Sequence, residues 1–183
     1  MKIFVTGSSG FIGFHLSKKL LEKGHSVHGY DSMNKYYDVK IKNARLKILK
    51  KYKKFSFTKN KLENKKNLSK SILKFKPTTI IHLAAQAGVR YSIENPKAYM
   101  DSNIIGTYNI IELGKKIKIK HLLIASSSSV YGANKKLPFT EIDKTETQLS
   151  LYAATKKSTE SIAHSYSNIW KIPITMLRFF TVY

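Results

Sequence analysis

A tyrosine and a lysine one helical turn apart are the side chains of this sequence best suited to proton-transfer chemistry. The segment Tyr152-Ala-Ala-Thr-Lys156 places a phenol and an ammonium four residues apart, so both leave the same face of a helix. A phenol is a poor base at its reference pKa of about 10. A neighbouring lysine cation favours the phenolate and brings it towards the working pH. The pair therefore predicts a tyrosine that moves a proton.

The start of the chain predicts a site for a dinucleotide. An apolar strand, Lys2–Thr6, runs into Gly7, Gly10 and Gly13 and then into a helix. Such glycines allow a tight turn, close approach of the backbone to a pyrophosphate, and close packing of helix on sheet. Asp31, at the end of the next strand, is placed to accept hydrogen bonds from an adenosine ribose and would repel a 2′-phosphate, which favours NAD over NADP. Together with the Tyr/Lys pair, this site suggests hydride transfer coupled to proton transfer.

Apolar strands alternate with amphipathic helices along the whole chain. This pattern predicts an α/β fold with a doubly wound parallel sheet of Rossmann type. No linker or internal repeat interrupts it, so residues 1–183 are predicted to form one NAD-binding domain. The predicted strands are 2–6, 26–30, 54–58, 79–83, 120–126 and 174–179, and the predicted helices are 11–23, 36–51, 62–75, 96–116 and 150–170.

The carboxyl ends of the predicted strands carry the unusual polar residues. Ligands bind at this edge of open parallel sheets, and Ser126-Ser-Ser-Ser-Val-Tyr-Gly132 directly follows a strand. One of these hydroxyls is placed to hydrogen-bond a reacting substrate oxygen. His82 lies in an apolar strand and is interpreted as a core residue rather than a base. The other histidines show no metal-ligand spacing, so no metal site is predicted.

Composition limits the remaining classes of function. With no cysteine, the chain has neither disulfides nor thiolate metal sites, which suits a reducing cytoplasm. No apolar run approaches the ~20 residues of a membrane span. The net charge of +22 comes almost entirely from lysine, most densely between Lys40 and Lys76. Apolar residues recur there at core spacings, which favours a solvated lysine face. The alternative, a nucleic-acid binder, predicts affinity that falls steeply with salt.

The motifs resemble those of the extended short-chain dehydrogenases/reductases, and specifically of the NAD-dependent nucleotide-sugar epimerases. The resemblance spans the whole chain and looks closest to the UDP-glucuronate 4-epimerases. It rests on six segments: Thr6-Gly-Ser-Ser-Gly-Phe-Ile-Gly13, His82-Leu-Ala-Ala-Gln-Ala-Gly-Val-Arg-Tyr-Ser92, Asn103-Ile-Ile-Gly-Thr107, Ser126–Gly132, Tyr152–Lys156 and Arg178-Phe-Phe-Thr-Val-Tyr183.

The resemblance implies a role for each site residue. Tyr152 would take the proton of the sugar 4-hydroxyl while hydride passes from C4 to NAD, and the 4-keto sugar would turn over and receive the hydride on its other face. Lys156 would hold the nicotinamide ribose, and Ser127 would bind the reacting oxygen. The implied catalytic residues are thus Ser127, Tyr152 and Lys156. Those implied to contact NAD are Gly7, Gly10, Phe11, Ile12, Gly13, Asp31, Leu83, Ala84, Ala85, Asn103, Tyr152 and Lys156, and those implied to contact the nucleotide sugar are Arg90, Ser127, Ser128 and Thr181.

The serine run also bears on the choice of reaction. Related 4,6-dehydratases carry Asp-Glu at Ser128-Ser129, and related UDP-glucuronate decarboxylases carry glutamate at Ser129. The sequence therefore favours simple epimerisation, with UDP-glucuronate to UDP-galacturonate as the expected reaction. Epimerisation of UDP-glucose or UDP-N-acetylglucosamine and a non-catalytic NAD-binding module stay open as alternatives.

Two departures from the family pattern qualify this expectation. Lys61 stands where the family usually has an aspartate near the adenine. The family also continues beyond the position of Tyr183 with a smaller substrate domain, so the sequence reads as an N-terminal part whose own activity is open. The complete protein is expected to form a homodimer through helices 96–116 and 150–170, without a specific nucleic-acid partner.

Overall fold

Six parallel strands form one sheet with helices on both faces. The computed structural model describes all residues, 1–183. The strands are β1 Lys2–Thr6, β2 Ser26–Asp31, β3 Phe55–Lys59, β4 Thr79–His82, β5 His121–Ser127 and β6 Ile174–Phe179. The helices are α1 Phe11–Glu22, α2 Val39–Leu49, α3 Lys65–Phe75, α4 Tyr91–Glu94, α5 Pro96–Tyr99, α6 Gly106–Lys116 and α7 Leu151–Trp170, with a π-helical turn at Met100–Ile105 and a 3-10 turn at Ser128–Tyr131.

The strand order is β3-β2-β1-β4-β5-β6. The chain therefore builds outward from β1 to one edge, returns to pair β4 with β1, and builds to the other edge. Such a reversal opens a crevice between the loops that follow the two strands at the switch point. The predicted fold class is confirmed, and the ligand crevice is expected above β1 and β4.

The alternation of β1 divides the core between the two faces of the sheet. Ile3 and Val5 belong to one buried cluster, which also contains Phe14 of α1. Phe4 points the opposite way into a second cluster together with Ile110 of α6. Successive strand side chains point to opposite faces, so a strand without polar interruptions is buried on both sides. Burial of β1 on both faces of the sheet therefore explains the uninterrupted apolar run Ile3-Phe4-Val5.

Most helix boundaries differ from prediction by a few residues because polar caps set the first turns. The helix predicted at 36–51 begins only at Val39, because the Asp38 carboxylate accepts the backbone N–H of Lys40 at 2.7 Å. The helix predicted at 62–75 begins at Lys65 for the same reason, with Asn64 as its cap. Local capping chemistry of this kind shifts boundaries without changing the topology.

The predicted continuous helix 96–116 is wrong in its middle. The helix is interrupted by the π-helical turn Met100–Ile105, which lies between α5 and α6. Asn103 lies in this turn and bonds both the backbone of Gln86 and the hydroxyl of Thr155. A π-turn brings an inward side chain to a place that a regular helix would not offer. No helix of the protein combines the length and the apolarity needed to cross a bilayer.

A buried serine offers a test of the packing of α1. The side chain of Ser17 is fully buried and its hydroxyl has no hydrogen-bond partner. An unsatisfied buried hydroxyl costs about 1–3 kcal/mol. We expect Ser17→Ala to raise the free energy of unfolding by about 1 kcal/mol in urea titrations.

The matched control is Ser161→Ala, which removes a hydroxyl from the exposed face of α7. It combines the gain in helix propensity with the loss of a long, exposed hydrogen bond to the Lys157 carbonyl oxygen at 3.3 Å, and we expect a gain of no more than about 0.5 kcal/mol. Equal effects of the two substitutions would show that the Ser17 hydroxyl finds a partner in solution.

Candidate active site

A cleft of about 950 Å³ opens along the carboxyl edge of the sheet. Ligand sites usually span about 300–1,000 Å³, so the cleft has room for a large, extended ligand. The loops that follow β1, β2, β3, β4 and β6 and the last residues of β5 contribute to its wall. Its two ends differ in chemistry: the glycine turn and Asp31 lie at one, and the serine run with α7 at the other.

The glycine turn brings backbone into the cleft wall without side chains. Gly7 has a φ of +70°, and a Cβ there would lie 2.9 Å from the backbone nitrogen of Ala84. A Cβ on Gly13 would lie only 2.1 Å from the carbonyl oxygen of Gly7. Both positions thus exclude any side chain. The helix that follows has no side-chain cap, so its first N–H groups are free for an anion such as a pyrophosphate.

Asp31 presents a fixed carboxylate beside this turn. Its two oxygens accept the backbone N–H groups of Ser9, at 3.0 Å, and Met33, at 2.8 Å. The side chain is buried and lines the cleft. A carboxylate has about four acceptor positions, so capacity remains for hydroxyl donors of a ligand.

Thr6 and His82 hold the loop that faces the glycine turn. The Thr6 hydroxyl oxygen accepts the N–H groups of Leu83 and Ala84 at 3.1 and 3.0 Å. Its own proton therefore goes to His82 Nδ1, 2.7 Å away, and His82 Nε2 donates to Thr107. Burial lowers the pKa of His82 to about 3, so the imidazole stays neutral. The interpretation of His82 as a core residue is confirmed.

The Tyr/Lys pair lies on one face of α7. The helix begins at the Ser150 cap, whose hydroxyl oxygen accepts the N–H of Ala153. Tyr152 and Lys156 both line the cleft. Lys156 is buried, and its ammonium donates to the carbonyl oxygen of Ala125 at 2.9 Å. Burial lowers the pKa of Lys156 to about 8. At neutral pH the side chain of Lys156 therefore remains an ammonium. It lies on the same helix face as the Tyr152 phenol, at the point where β5 ends.

The structure distinguishes among the serines of the run. Ser126 and Ser127 line the cleft, and Ser128 and Ser129 lie in the 3-10 turn that follows and do not line it. Ser127 Oγ accepts the backbone N–H of Ser129 and donates to its hydroxyl, both at 3.2 Å. The contact of Ser128 with the substrate stays a prediction, because Ser128 lies in the 3-10 turn directly after the cleft residue Ser127.

Two other expected contacts are not in the cleft wall. Arg90 is almost fully exposed and pairs with Glu94 at 3.7 Å, because the turn into α4 directs it to solvent. Asn103 is buried behind the cleft, where its amide bonds Gln86 on both the N–H and the C=O. It can position the 83–86 loop but does not line the cleft. Thr181 lies in the wall.

The remaining expected residues all line the cleft. They are Gly7, Gly10, Phe11, Ile12, Gly13, Asp31, Leu83, Ala84 and Ala85, and they form the end of the cleft that the glycine turn defines. Lys61 also lines it, with a mostly exposed side chain that faces Glu63 at 3.5 Å. The cation that replaces the usual acid thus stays at the solvent side of the wall.

A buried charge network beneath the site was not predicted. The Glu160 carboxylate accepts two hydrogen bonds from Arg178, each at 3.0 Å, and one from Ser126 at 2.6 Å. Glu160 lies one turn beyond Lys156, so the network ties α7 to the ends of β5 and β6. An acid on the buried face of a helix and an arginine in an apolar strand are its only traces in the sequence. Lys42 and Tyr36 also line the cleft unpredicted.

Comparison with known proteins identifies the family. The family model described as GDP-mannose 4,6 dehydratase matches residues 4–183. The chain belongs to this family. It is 52% identical over 183 residues to a probable UDP-glucuronate 4-epimerase of Rhizobium meliloti (strain 1021), and 56% identical over 183 residues to Protein CapI of Staphylococcus aureus. In both cases the match covers 100% of this chain and 54% of the relative.

Solved structures of family relatives agree with this fold. A UDP-glucuronic acid 4-epimerase from Bacillus cereus, crystallised with UDP-glucuronic acid and NAD, superposes with a TM-score of 0.92 at 36% identity. The match covers 100% of this chain and 57% of that one. A UDP-glucose 4-epimerase from Thermus thermophilus in complex with NAD gives 0.85 at 27% identity, covering 97% and 54%. The chain thus spans about half the length of the relatives it matches.

The buried ammonium of Lys156 makes stability depend on pH. Between pH 8 and 10.5 the unfolded chain holds a proton on this lysine that the folded chain has released. Raising the pH through this range therefore favours the folded state. Between pH 7 and 9.5 we expect the wild-type protein to gain about 2 kcal/mol of unfolding free energy relative to Lys156→Met, measured by urea titration.

The control is Lys47→Met on the exposed face of α2, which should follow the wild-type protein at both pH values. If the unfolding free energies of the wild-type protein and of Lys156→Met changed equally with pH, the Lys156 ammonium would not be desolvated in the folded state.

Proposed function

We propose that residues 1–183 form the NAD-binding domain of a nucleotide-sugar 4-epimerase that interconverts UDP-glucuronate and UDP-galacturonate. One observation carries the proposal. Tyr152, Lys156 and Ser127 line the same cleft as the glycine turn and Asp31. A cofactor held at one end of this cleft would extend towards a proton-transfer pair at the other. The activity proposed is that of the whole protein.

The residues at the glycine end fit the dinucleotide. The side-chain-free backbone at Gly7 and Gly13, with the uncapped start of α1, suits a pyrophosphate. Asp31 has acceptor capacity for the adenosine ribose hydroxyls. When bound, NAD supplies a hydride acceptor that can return the hydride to the sugar. The relatives crystallised with NAD support this choice of cofactor.

At the other end, the chain's own residues would move the proton. Tyr152 takes the proton of the sugar 4-hydroxyl as a phenolate, and Lys156 stabilises that phenolate from one helical turn away. Ser127 donates a hydrogen bond to the same sugar oxygen. The Ser129 N–H fixes the Ser127 oxygen, so its proton is free to change acceptor from Ser129 to substrate. A general base of this kind contributes about 10²–10⁴-fold to the rate.

The turn after β5 favours epimerisation over the dehydration in the family's description. Elimination of water needs an acid and a base near the sugar, but residues 126–129 are all serines. Hydroxyls at this position can hold the keto oxygen but cannot take a carbon-bound proton. The UDP-glucuronate 4-epimerase relatives at 46–52% identity support the hexuronate as substrate.

The experiment is incubation of the whole protein with NAD and UDP-glucuronate labelled with deuterium at C4. We expect UDP-galacturonate that retains deuterium at C4, detected by NMR, since the hydride never exchanges with solvent. Tyr152→Phe should slow turnover by at least about 100-fold while NAD binding persists. The matched control is Tyr52→Phe, whose hydroxyl bonds Glu22 outside the cleft and which should leave the rate unchanged.

The same assay separates the other functions. Loss of CO2 would indicate decarboxylation, and turnover only with UDP-glucose or UDP-N-acetylglucosamine would change the proposed substrate. NAD binding without turnover of any of the three sugars would favour a binding module. Equal rates for the wild-type protein and Tyr152→Phe would refute the proposed base.

We also propose that the protein forms a homodimer through the π-turn, α6 and the end of α7. Exposed apolar residues on these elements include Met100, Ile105, Tyr108, Ile169 and Trp170. Light scattering should give twice the monomer mass, and Ile105→Glu should halve it because a charge would be buried in the interface. A monomeric wild-type protein would contradict the dimer.

No specific nucleic-acid partner is proposed, since the lysine-rich helices α2 and α3 pack in the core through Leu49, Leu68 and Ile72. Salt-dependent binding to DNA or RNA that required the lysines of α2 and α3 would contradict this.

A cytoplasmic location is also proposed, supported by the cysteine-free composition. Fractionation of the source cells tests it.

A further inference from the structure

The outer face of α2 carries apolar side chains beside lysines. Ile41, Ala44 and Ile48 follow one another at helical spacing and form one exposed stripe. Ile41 is 51% exposed and Ile48 is 40% exposed. Lys40 and Lys47 have the same spacing as the two isoleucines and form a second exposed stripe directly next to the first. The proposed reaction uses none of these residues.

The buried face of α2 prevents the two isoleucines from turning inward. Leu46 and Leu49 are buried, and Leu49 belongs to the core cluster that contains Ile3 and Val5 of β1. The helix is therefore fixed with its other side towards solvent. A single exposed apolar side chain is ordinary on a protein surface, whereas apolar side chains grouped within a polar rim are typical of an interaction site. The outer face of α2 has the second arrangement.

The cations of this face are not neutralised by the protein itself. The chain holds no carboxylate between Asp38 and Glu63, and Asp38 caps the helix. The acid that reaches this region from another element is Glu22 of α1, which accepts the Tyr52 hydroxyl at 3.4 Å but is paired with Lys18. The exposed lysines of α2 and the turn after it form no ion pair; they are Lys40, Lys47, Lys50, Lys51, Lys53 and Lys54. Such a face attracts an extended anionic surface.

The side-chain types indicate which anionic surface fits. Nucleic-acid sites use arginine forks for phosphates and aromatic rings for bases. Arg45 is the only arginine of α2, and its guanidinium lies over the Phe11 ring, 5.8 Å from the centroid. The apolar stripe is aliphatic instead. Aliphatic side chains beside lysines suit the interface of a bilayer, where the apolar groups enter between lipid headgroups and the ammonium groups meet anionic lipid.

We propose that the outer face of α2 docks the protein on a bilayer rich in anionic lipid. Ile41 and Ile48 enter the headgroup region, and Lys40, Lys47 and the lysines of the turn 50–54 contact the lipid phosphates. This inference is independent of the proposed reaction. The attachment is reversible, because few apolar groups enter the bilayer and the electrostatic part is screened by salt.

The test is co-sedimentation of the whole protein with two kinds of vesicle, one of phosphatidylcholine alone and one of phosphatidylcholine and phosphatidylglycerol in equal parts. We expect binding to the anionic vesicles only. This binding should be lost in about 1 M NaCl, where the Debye length is about 3 Å. Circular dichroism verifies the fold of each variant described below.

Two double variants separate the contributions of charge and apolar contact. Lys40→Gln with Lys47→Gln should weaken vesicle binding by about 25-fold, because each lysine near an anionic surface contributes about fivefold. Ile41→Ser with Ile48→Ser should weaken it by about tenfold, since buried apolar area adds to the electrostatic attraction.

The matched control is Lys66→Gln with Lys70→Gln, which removes the same charge from exposed positions of α3. This helix packs in the other core cluster, on the opposite face of the sheet. We expect the control to weaken binding by less than about twofold, because the attraction falls off within a Debye length of the bilayer.

Each of the other outcomes contradicts the proposal. No binding to anionic vesicles, or equal binding to both kinds, would exclude docking on anionic lipid. Equal losses for the lysine pairs of α2 and α3 would assign the effect to net charge. Full binding by the isoleucine variant would show attraction without docking of the apolar stripe. Double-stranded DNA that bound more tightly than the vesicles and displaced them from the protein would assign the face to nucleic acid.

Discussion

The contact between the turn after β1 and the start of α1 is the constraint on which the rest of the site depends. The carbonyl of Gly7 lies where a Cβ of residue 13 would stand, and residue 7 itself lies against the backbone of Ala84. Three backbone segments thus meet without any side chain between them. This approach turns the start of α1 towards the cleft and leaves its N–H groups accessible. The other loops of the cleft wall are arranged around this contact between backbone segments.

Hydrogen bonds extend this arrangement to the neighbouring strands. Thr6 fixes the loop after β4, and His82 and Thr107 complete the chain of bonds into α6. Asn103 then ties the same loop to α7 through Thr155. These groups are buried and neutral, so their bonds are not weakened by water or by protonation near neutral pH. The two ends of the cleft are consequently held in a fixed relation.

Buried charge has two different roles at the opposite end. The Glu160–Arg178 pair satisfies itself within the protein and joins α7 to two strands. The ammonium of Lys156 is compensated only by the carbonyl oxygen of Ala125. Its desolvation is a cost to the fold that a bound negative or polar group would relieve. Glu160 and Arg178 are thus paired with each other, whereas the Lys156 ammonium, which faces the cleft, has no carboxylate partner.

The sequence by itself determined the features that depend on local spacing. Strand alternation, the glycine positions of the first turn and the four-residue step from Tyr152 to Lys156 each follow from backbone geometry within a few residues. The tertiary structure alone decided that Ser126 and Ser127 line the cleft, that Arg90 is exposed to solvent, and that Lys42 and Glu160 are buried. These outcomes depend on contacts between elements such as α7 and β6 that are distant in the chain. No local sequence pattern encodes how elements that are distant in the chain pack against one another.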